Sequence, residues 1–383
     1  MRLSKKAEKV ESSLTRYMFN LCGDIPDVID LTLGDPDLPP DEKIKSSACA
    51  AINDGKTRYS ENAGILPLRE AIAGHIKREY GLSPDPASEI VVTVGGMEAL
   101  YLAFACTLDA GDEVLIPAPY YVNYLQMTNL CGGVPVIINT DENSGFIPTR
   151  EQLESAITPK TVAIVVNTPS NPTGAVWSKK AIDDLCEVAK KYDLTVISDE
   201  VYSPLVYNGR HESVLTRPGM KDRTIFIDSI SKRFAMTGYR LGYAYAPSEM
   251  VLSMTRMQEN IAACAPLPSQ YAAVTAYREC SENTELREIF RERVNYMASE
   301  INKTEKLSCR VPDGTFYLFV NIEKTGMDSF AFCLKLLKEA GVAVAPGITY
   351  GEAYDNYIRI ACTADISLIK VAADRIKRFL ETL

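Results

Sequence analysis

Seven short apolar runs recur between residues 90 and 246, with helix-like stretches between most of them, and no other feature restricts the fold of this chain so tightly. They are IVVTV (90–94), EVLIP (113–117), VPVIIN (134–139), TVAIVV (161–166), LTVIS (194–198), TIFID (224–228) and LGYAYA (241–246). Each is rich in valine and isoleucine and nearly continuous rather than alternating. That pattern predicts strands buried on both faces, in a mostly parallel sheet covered by helices. Such a sheet binds its ligands outside the carboxyl ends of the strands. After residue 248 the pattern turns mainly helical to about 307. It continues with TFYLFVNI (315–322), a helix over SFAFCLKLLKEAG (329–341), YIRIAC (357–362) and a closing helix from about 366. This predicts a second, smaller α+β region. We expect a large domain over residues 46–270 and a small one built from 1–45 and 271–383. The segment VIDLTLGDPDLPP reads as a strand ending in a turn, and periodicity alone does not place it.

The chain of 383 residues is long for one domain and ordinary for a large one plus a small one. A net charge of −9 argues against a nucleic-acid or anionic-membrane binder, although it leaves a local basic patch open. No apolar run approaches the roughly 18–20 residues of a membrane helix. The ten cysteines include no CxxC pair, and the first residues lack the apolar core of a signal peptide. The thiols are expected to be reduced and mostly buried, in a cytoplasmic protein. There are only two histidines, His75 and His211, which excludes a histidine-rich metal site; no metal is expected. His75 falls in an amphipathic helix pattern and is expected at the surface, and His211 sits in a turn.

Five features fall at or just after strand ends. In TVGGMEALYLAF (93–104), two glycines between a strand and a helix let the backbone approach a ligand at a helix N-terminus. The same turn could be purely structural. In PAPYYVNY (117–124), Tyr120, Tyr121 and Tyr124 read equally as core or as a ring laid against a planar cofactor. In NTPSNPTGAVW (167–177), the Pro and Gly make a turn, while the Asn171 amide could donate to a ligand oxygen. In VISDEVYSPLVY (196–207), Asp199 and Glu200 end a very apolar strand. An acid buried there needs a cationic partner, or else the strand end is solvated. In SISKRFAMTGYR (229–240), Lys232 follows a strand among small and apolar residues. A partly desolvated lysine has a lowered pKa and is a usable nucleophile.

Together these residues suit pyridoxal 5′-phosphate (PLP). Its ring nitrogen wants a buried carboxylate (Asp199). Its phenolic oxygen wants partners (Asn171, Tyr202). Its phosphate wants a helix N-terminus, serines and an arginine (the 96–98 turn, Ser229, Ser231, Arg240). Its aldehyde wants a lysine, Lys232.

The set GKTRYSENAGILPLREAI (55–72), VTVGGMEALY, NTPSNPTGAV, SDEVY, SKRFAMTGYRLGY and YIRIAC resembles the class I/II aminotransferases of PLP fold type I, in particular the bacterial aspartate aminotransferase-like branch. The resemblance spans about residues 30–362 in family order. It implies a mostly parallel seven-stranded sheet between helices, and a smaller α+β domain. It implies that Lys232 is the Schiff-base lysine and proton carrier, that Asp199 keeps the ring nitrogen protonated, and that Asn171 and Tyr202 meet the ring hydroxyl. Gly96, Met97 (through its backbone N–H), Ser229, Ser231 and Arg240 would hold the phosphate, with Tyr121 stacked on the ring. Tyr59 would reach the phosphate of a neighbouring subunit in a homodimer. Arg359, Gly34 and Asn171 would bind the substrate α-carboxylate. The implied activity is transfer of an amino group from an L-amino acid to a 2-oxo acid, such as 2-oxoglutarate, by a ping-pong route.

Two departures stand out. Aspartate-specific relatives carry a lysine where this chain has Met97, so a larger or less polar donor is expected. The N-terminal segment is short, and Ser13 and Thr15 receive no role. A carbon–sulfur β-lyase would share nearly the same site. A non-catalytic PLP-binding regulator usually carries a DNA-binding module, and the 45 or so residues before the core pattern show no helix-turn-helix or basic arm. A nicotinamide dehydrogenase would need a glycine fingerprint that is missing here.

Overall fold

The computed structural model describes residues 2–4, 7, 8, 10, 12–280 and 284–383. A two-residue strand, Ile29–Asp30 (β1), comes first. The seven apolar runs follow as β2 (Ile90–Thr93), β3 (Glu113–Ala118), β4 (Val134–Asn139), β5 (Thr161–Asn167), β6 (Thr195–Asp199), β7 (Thr224–Ser229) and β8 (Gly242–Tyr245). They form one sheet in the order β2-β8-β7-β6-β5-β3-β4. From β7 to β4 every pairing is parallel, whereas β8 runs antiparallel to both β2 and β7.

The near-continuous apolar runs have a direct cause. In β5, Ala163 and Val165 pack with Leu100, Ala103 and Phe104 of the helix Gly95–Thr107. The alternate residues Ile164 and Val166 pack with Ile182, Leu185 and Ala189 of the helix Lys179–Lys191 on the other face. Both faces of the strand are therefore dry, and neither tolerates a polar residue.

The reversal at β8 also has a local cause. A parallel return needs a crossover of a dozen or more residues, usually a full helix. Between β7 and β8 lie twelve residues, 230–241, at the lower limit for such a crossover, and they form only a four-residue helix, Ile230–Arg233, and the short turn Thr237–Tyr239, with no full helix to carry the chain across. The chain turns back instead, and the stretch that opens this hairpin-like return carries Lys232. Its register sets Gly242 opposite both Ser229 and Thr93, so two strand ends and the start of the helix Gly95–Thr107 meet at one point.

The C-terminal part holds a second sheet in the order β12-β13-β10-β9. Its strands are β9 (Ser308–Cys309), β10 (Tyr317–Asn321), β12 (Ala345–Pro346) and β13 (Tyr357–Ala361), and β11 (Val342–Ala343) pairs in parallel with β1. The register Phe319↔Arg359 puts Arg359 in the middle of this sheet. Phe290, Phe316, Phe332, Ile360 and Phe379 belong to a separate apolar core beneath it. The unplaced N-terminal segment joins here: Leu31 N–H donates to Ala343 O and Leu31 O accepts from Ala361 N–H, both at 2.9 Å. Those bonds deliver Gly34 to the large sheet's ligand-binding edge.

Two expectations fail. His75 is not at the surface but 4% exposed, its ring 5.2 Å from Tyr277. The helix Leu267–Glu279 covers the side of the helix Leu66–Tyr80 on which it sits, and burial pushes its pKa down to about 2. The cysteines are all free, but only Cys186, Cys309, Cys333 and Cys362 are buried; Cys49 is exposed and the rest lie between. Among the described residues no helix is long and apolar enough to cross a membrane.

Candidate active site

A cavity of about 720 Å³ opens at the carboxyl ends of the parallel strands, between the two sheets. Every expected site residue except Tyr59 lines it: Gly34, Gly96, Met97, Tyr121, Asn171, Asp199, Tyr202, Ser229, Ser231, Lys232, Arg240 and Arg359. Tyr59 is 87% exposed on the surface, away from this cavity.

Asp199 ends β6 and is 3% exposed. Its Oδ2 accepts from Tyr124 O–H at 2.6 Å and its Oδ1 from Val201 N–H at 3.4 Å. Burial pushes its carboxyl up to about 6, against the pull of those two bonds. Among the described residues no lysine, arginine or histidine pairs with it. Glu200, the next residue, faces elsewhere. Its Oε1 accepts from Ser198 and Ser213 hydroxyls at 2.8 Å each, and its Oε2 binds His211 Nε2. Glu200 therefore has a basic side chain, His211, as its partner, and among the described residues Asp199 has none.

Lys232 projects from the four-residue helix and donates to Gly34 O. Its Nζ lies 5.7 Å from the Phe316 ring. Burial lowers its pKa to about 8, with Arg240 and Arg359 pushing the same way and Asp35 opposing them. Arg359 is 4% exposed. It donates to Asn171 Oδ1 at 2.9 Å and to Thr32 O, and its plane lies 4.3 Å from the Tyr317 ring and 5.1 Å from that of Tyr350. Its Nε is buried without a partner, and no carboxylate pairs with it among the described residues. Asn171 N–H is held by Asn167 Oδ1 at 2.8 Å, and Tyr202 shares a hydroxyl contact of 3.0 Å with Tyr317. Tyr121 O–H donates to Met97 Sδ at 3.4 Å and its ring meets Tyr124 edge-on.

The opposite end of the cavity is a cradle of small residues. The helix Gly95–Thr107 begins there with its free amides. Gly95 has φ +76°, and a Cβ on it would lie 2.6 Å from Arg240 Nη2. A Cβ on Gly242 would lie 2.5 Å from Gly96 N. Ser231 N–H donates to Ser229 Oγ at 3.1 Å, and Ser229 Oγ bonds Leu241 O at 2.9 Å. Amide donors, two hydroxyls and a guanidinium converging on one end form a site for a phosphate dianion. A cation-less buried carboxylate in the same cavity suits a protonated ring nitrogen, and an amine whose pKa burial has lowered suits an aldehyde. This donor set fits pyridoxal phosphate.

Ser13 and Thr15, left without a role above, and Arg16, Asp35, Asn167, Tyr317 and Tyr350, not singled out in the sequence, also line the cavity. Thr15 Oγ1 lies 3.3 Å from Tyr350 O–H, tying the helix Leu14–Leu21 to the Arg359 wall. Tyr317 lies within an ordinary apolar strand pattern. Only Ser13, which caps that helix by accepting from Thr15 N–H, carried a readable local signal.

A family model for class I and II aminotransferases matches residues 26–376. An aromatic-amino-acid aminotransferase of Thermococcus litoralis is 39% identical, covering 100% of this chain and 99% of its own. An aspartate aminotransferase of Pyrococcus abyssi is 37% identical over 99% of this chain and 98% of its own. Among solved structures, the aspartate aminotransferase from Rhizobium meliloti superimposes with a TM-score of 0.94 at 33% identity, covering 100% of this chain and 99% of that one.

Proposed function

This chain belongs to the class I and II aminotransferases, a family that uses pyridoxal phosphate to move amino groups between amino acids and 2-oxo acids, and within that activity we propose the following roles for its residues. When bound, the cofactor ring supplies a sink for the electron pair released at the substrate Cα. Lys232 Nζ would hold the cofactor aldehyde covalently, with loss of water, and would move the proton at the substrate Cα. Its pKa of about 8 supports this, because an appreciable fraction is neutral near neutral pH. Asp199 holds a proton on the ring nitrogen, which its unpaired buried carboxylate supports. Asn171 and Tyr202 meet the ring hydroxyl, and Tyr121 covers one ring face. The Gly96 and Met97 amides, Ser229, Ser231 and Arg240 grip the phosphate.

Arg359 binds the substrate α-carboxylate bidentately, with Gly34 and Asn171 beside it. The orphaned buried Nε of Arg359 supports this role. The reaction runs as two half-reactions in ping-pong order at this one cavity. The observation that carries the reading is the pairing of opposites: a buried acid without a cation and a buried arginine without an acid line the same cavity as Lys232. Replacing Lys232 by Ala is expected to abolish turnover and the visible absorbance of the cofactor-loaded protein; retained activity would falsify the assignment.

The donor is a large apolar or aromatic amino acid. Met97 beside Tyr121 puts no cation at that part of the wall to read an acidic side chain; among the described residues the lining cations are Arg16, Lys232, Arg240 and Arg359, of which only Arg16 has no role above. Steady-state kinetics over a donor panel tests this: leucine, methionine and aromatic donors are expected to outperform aspartate, and a strong preference for aspartate overturns it. The enzyme is a homodimer in which Tyr59 reaches the phosphate of the neighbouring subunit; the almost bare Tyr59 ring supports this. Ten free thiols suit a cytoplasmic, reducing location.

A further inference from the structure

Directly behind Lys232 lies a charged pair to which none of the roles above gives work. Arg233 is 4% exposed and Asp228 0%. Arg233 Nη2 lies 3.2 Å from Asp228 Oδ2. A buried ion pair is weak evidence for stability, since apolar replacements are often neutral or better, so its bonds are the better guide to its use.

Those bonds join the segments that build the site. Asp228 Oδ1 accepts from Ser229 N–H at 2.7 Å, fixing the start of the turn that holds Ser229, Ser231 and Lys232. Arg233 closes the end of the same turn through Asp228 Oδ2. Its Nη2 also donates to Ser203 Oγ at 2.9 Å, and Ser203 directly follows Tyr202. Tyr243 O–H, from β8, reaches Asp228 Oδ2 at 3.3 Å. The other titratable groups around the pair are Tyr80, Tyr277, Glu200, His75 and Asp199, whose carboxyl Asp228 helps to raise. Burial raises both tyrosines and keeps His75 neutral, and Glu200 is bound to His211. Asp228 is the one acid in direct contact with Arg233 among the described residues.

We propose that the Asp228–Arg233 pair is a positioning device that fixes both ends of the Lys232 turn and ties that turn to the one carrying Tyr202. The inference rests on Lys232 and Tyr202 being the site residues read above. Neither Asp228 nor Arg233 lines the cavity, so both act through their neighbours. Holding Nζ and the Tyr202 hydroxyl in register matters because a displacement of about 1 Å at a reacting group costs on the order of 100-fold in rate.

The test compares the cofactor-loaded wild type with Arg233→Met, Arg233→Lys and the neutral pair Asp228→Asn/Arg233→Gln. It reads the pH midpoint of the visible absorbance, kcat and KM separately, and thermal melting. Arg233→Met is expected to melt cooperatively, to move the absorbance midpoint by about half a pH unit or more, and to lower kcat about tenfold or more with KM within about threefold. Arg233→Lys is expected to recover most of the midpoint. The neutral pair leaves no lone buried charge and is expected to be stable but still displaced in midpoint and kcat. A wild-type midpoint with wild-type kcat in any folded variant that lacks the pair overturns the proposal. If Arg233→Met does not fold, the neutral pair decides by the same criteria. A wild-type-like Arg233 series beside an inactive Lys232→Ala sinks only this inference; an active Lys232→Ala sinks the reading beneath it.

Discussion

Asp199 shows how one buried side chain trades stability for chemistry. Its carboxyl is raised to about 6, above the ordinary carboxylate value, by burial without a cation. Between the ordinary value and about 6 the folded chain binds more protons than the unfolded one, so stability falls as pH rises through that window. The penalty is complete above about pH 6 and disappears on acidification. Asp199→Asn keeps a partner for Tyr124 and removes the charge. The cofactor-free variant is therefore expected to be more stable than the wild type by about 2–3 kcal/mol at pH 7.5, and by much less at pH 4.5. Denaturant melts at the two pH values check this; equal stability at both would refute it. The loaded variant is expected to lose nearly all activity. At this scale the sequence was informative where an acid, a lysine or an amide followed a strand. It was silent on Tyr317 and Tyr350, because an aromatic in an apolar strand or turn reads as core until a guanidinium is found lying on it.

At the scale of elements, the antiparallel β8 decides the site. Its first residue, Gly242, is wedged where β7, β2 and the helix Gly95–Thr107 converge, and a Cβ there would fall 2.5 Å from Gly96 N. The atom in the way is backbone and has no rotamer to escape into. Gly242→Ala is expected to cost about 3 kcal/mol or more and to weaken cofactor binding, because the Gly96 amide must move. A thermal melt together with a cofactor titration measures both; an unchanged affinity would show that the amide does not hold the phosphate. The seven strands were legible, since two dry faces leave a continuous apolar signature. The reversed direction of β8 was not read from its apolar run, because a buried strand looks alike in either direction; the lack of a full crossover helix in the connection before it is the physical reason for the reversal. The pattern of the helix Leu66–Tyr80 misled in its turn, placing His75 outward because periodicity cannot see the second helix that covers it.

For the whole molecule we propose the division into residues 46–270 and residues 1–45 with 271–383; the separate apolar core around Phe290, Phe316 and Phe332 supports it, while the helix Leu267–Glu279 straddles the border and packs on the larger part. The proposed homodimer belongs to this scale as well. Tyr59→Phe is expected to weaken cofactor affinity about tenfold, the worth of one hydrogen bond to a charged group, with kcat at saturating cofactor nearly unchanged. A monomer in analytical ultracentrifugation, or an unaltered affinity, would refute the shared site. By itself the sequence determined the strands, most of the helix positions and most of the strand-end residues that line the cavity, because these follow from local periodicity and from side-chain chemistry at strand ends. Tertiary structure alone decided which buried acid lacks a cation, which wall the N-terminal helix completes and how Gly34 meets Lys232. Those depend on contacts between residues as far apart as Thr15 and Tyr350, 335 positions, or Arg359 and Thr32, 327 positions, and no local pattern carries distances of that kind.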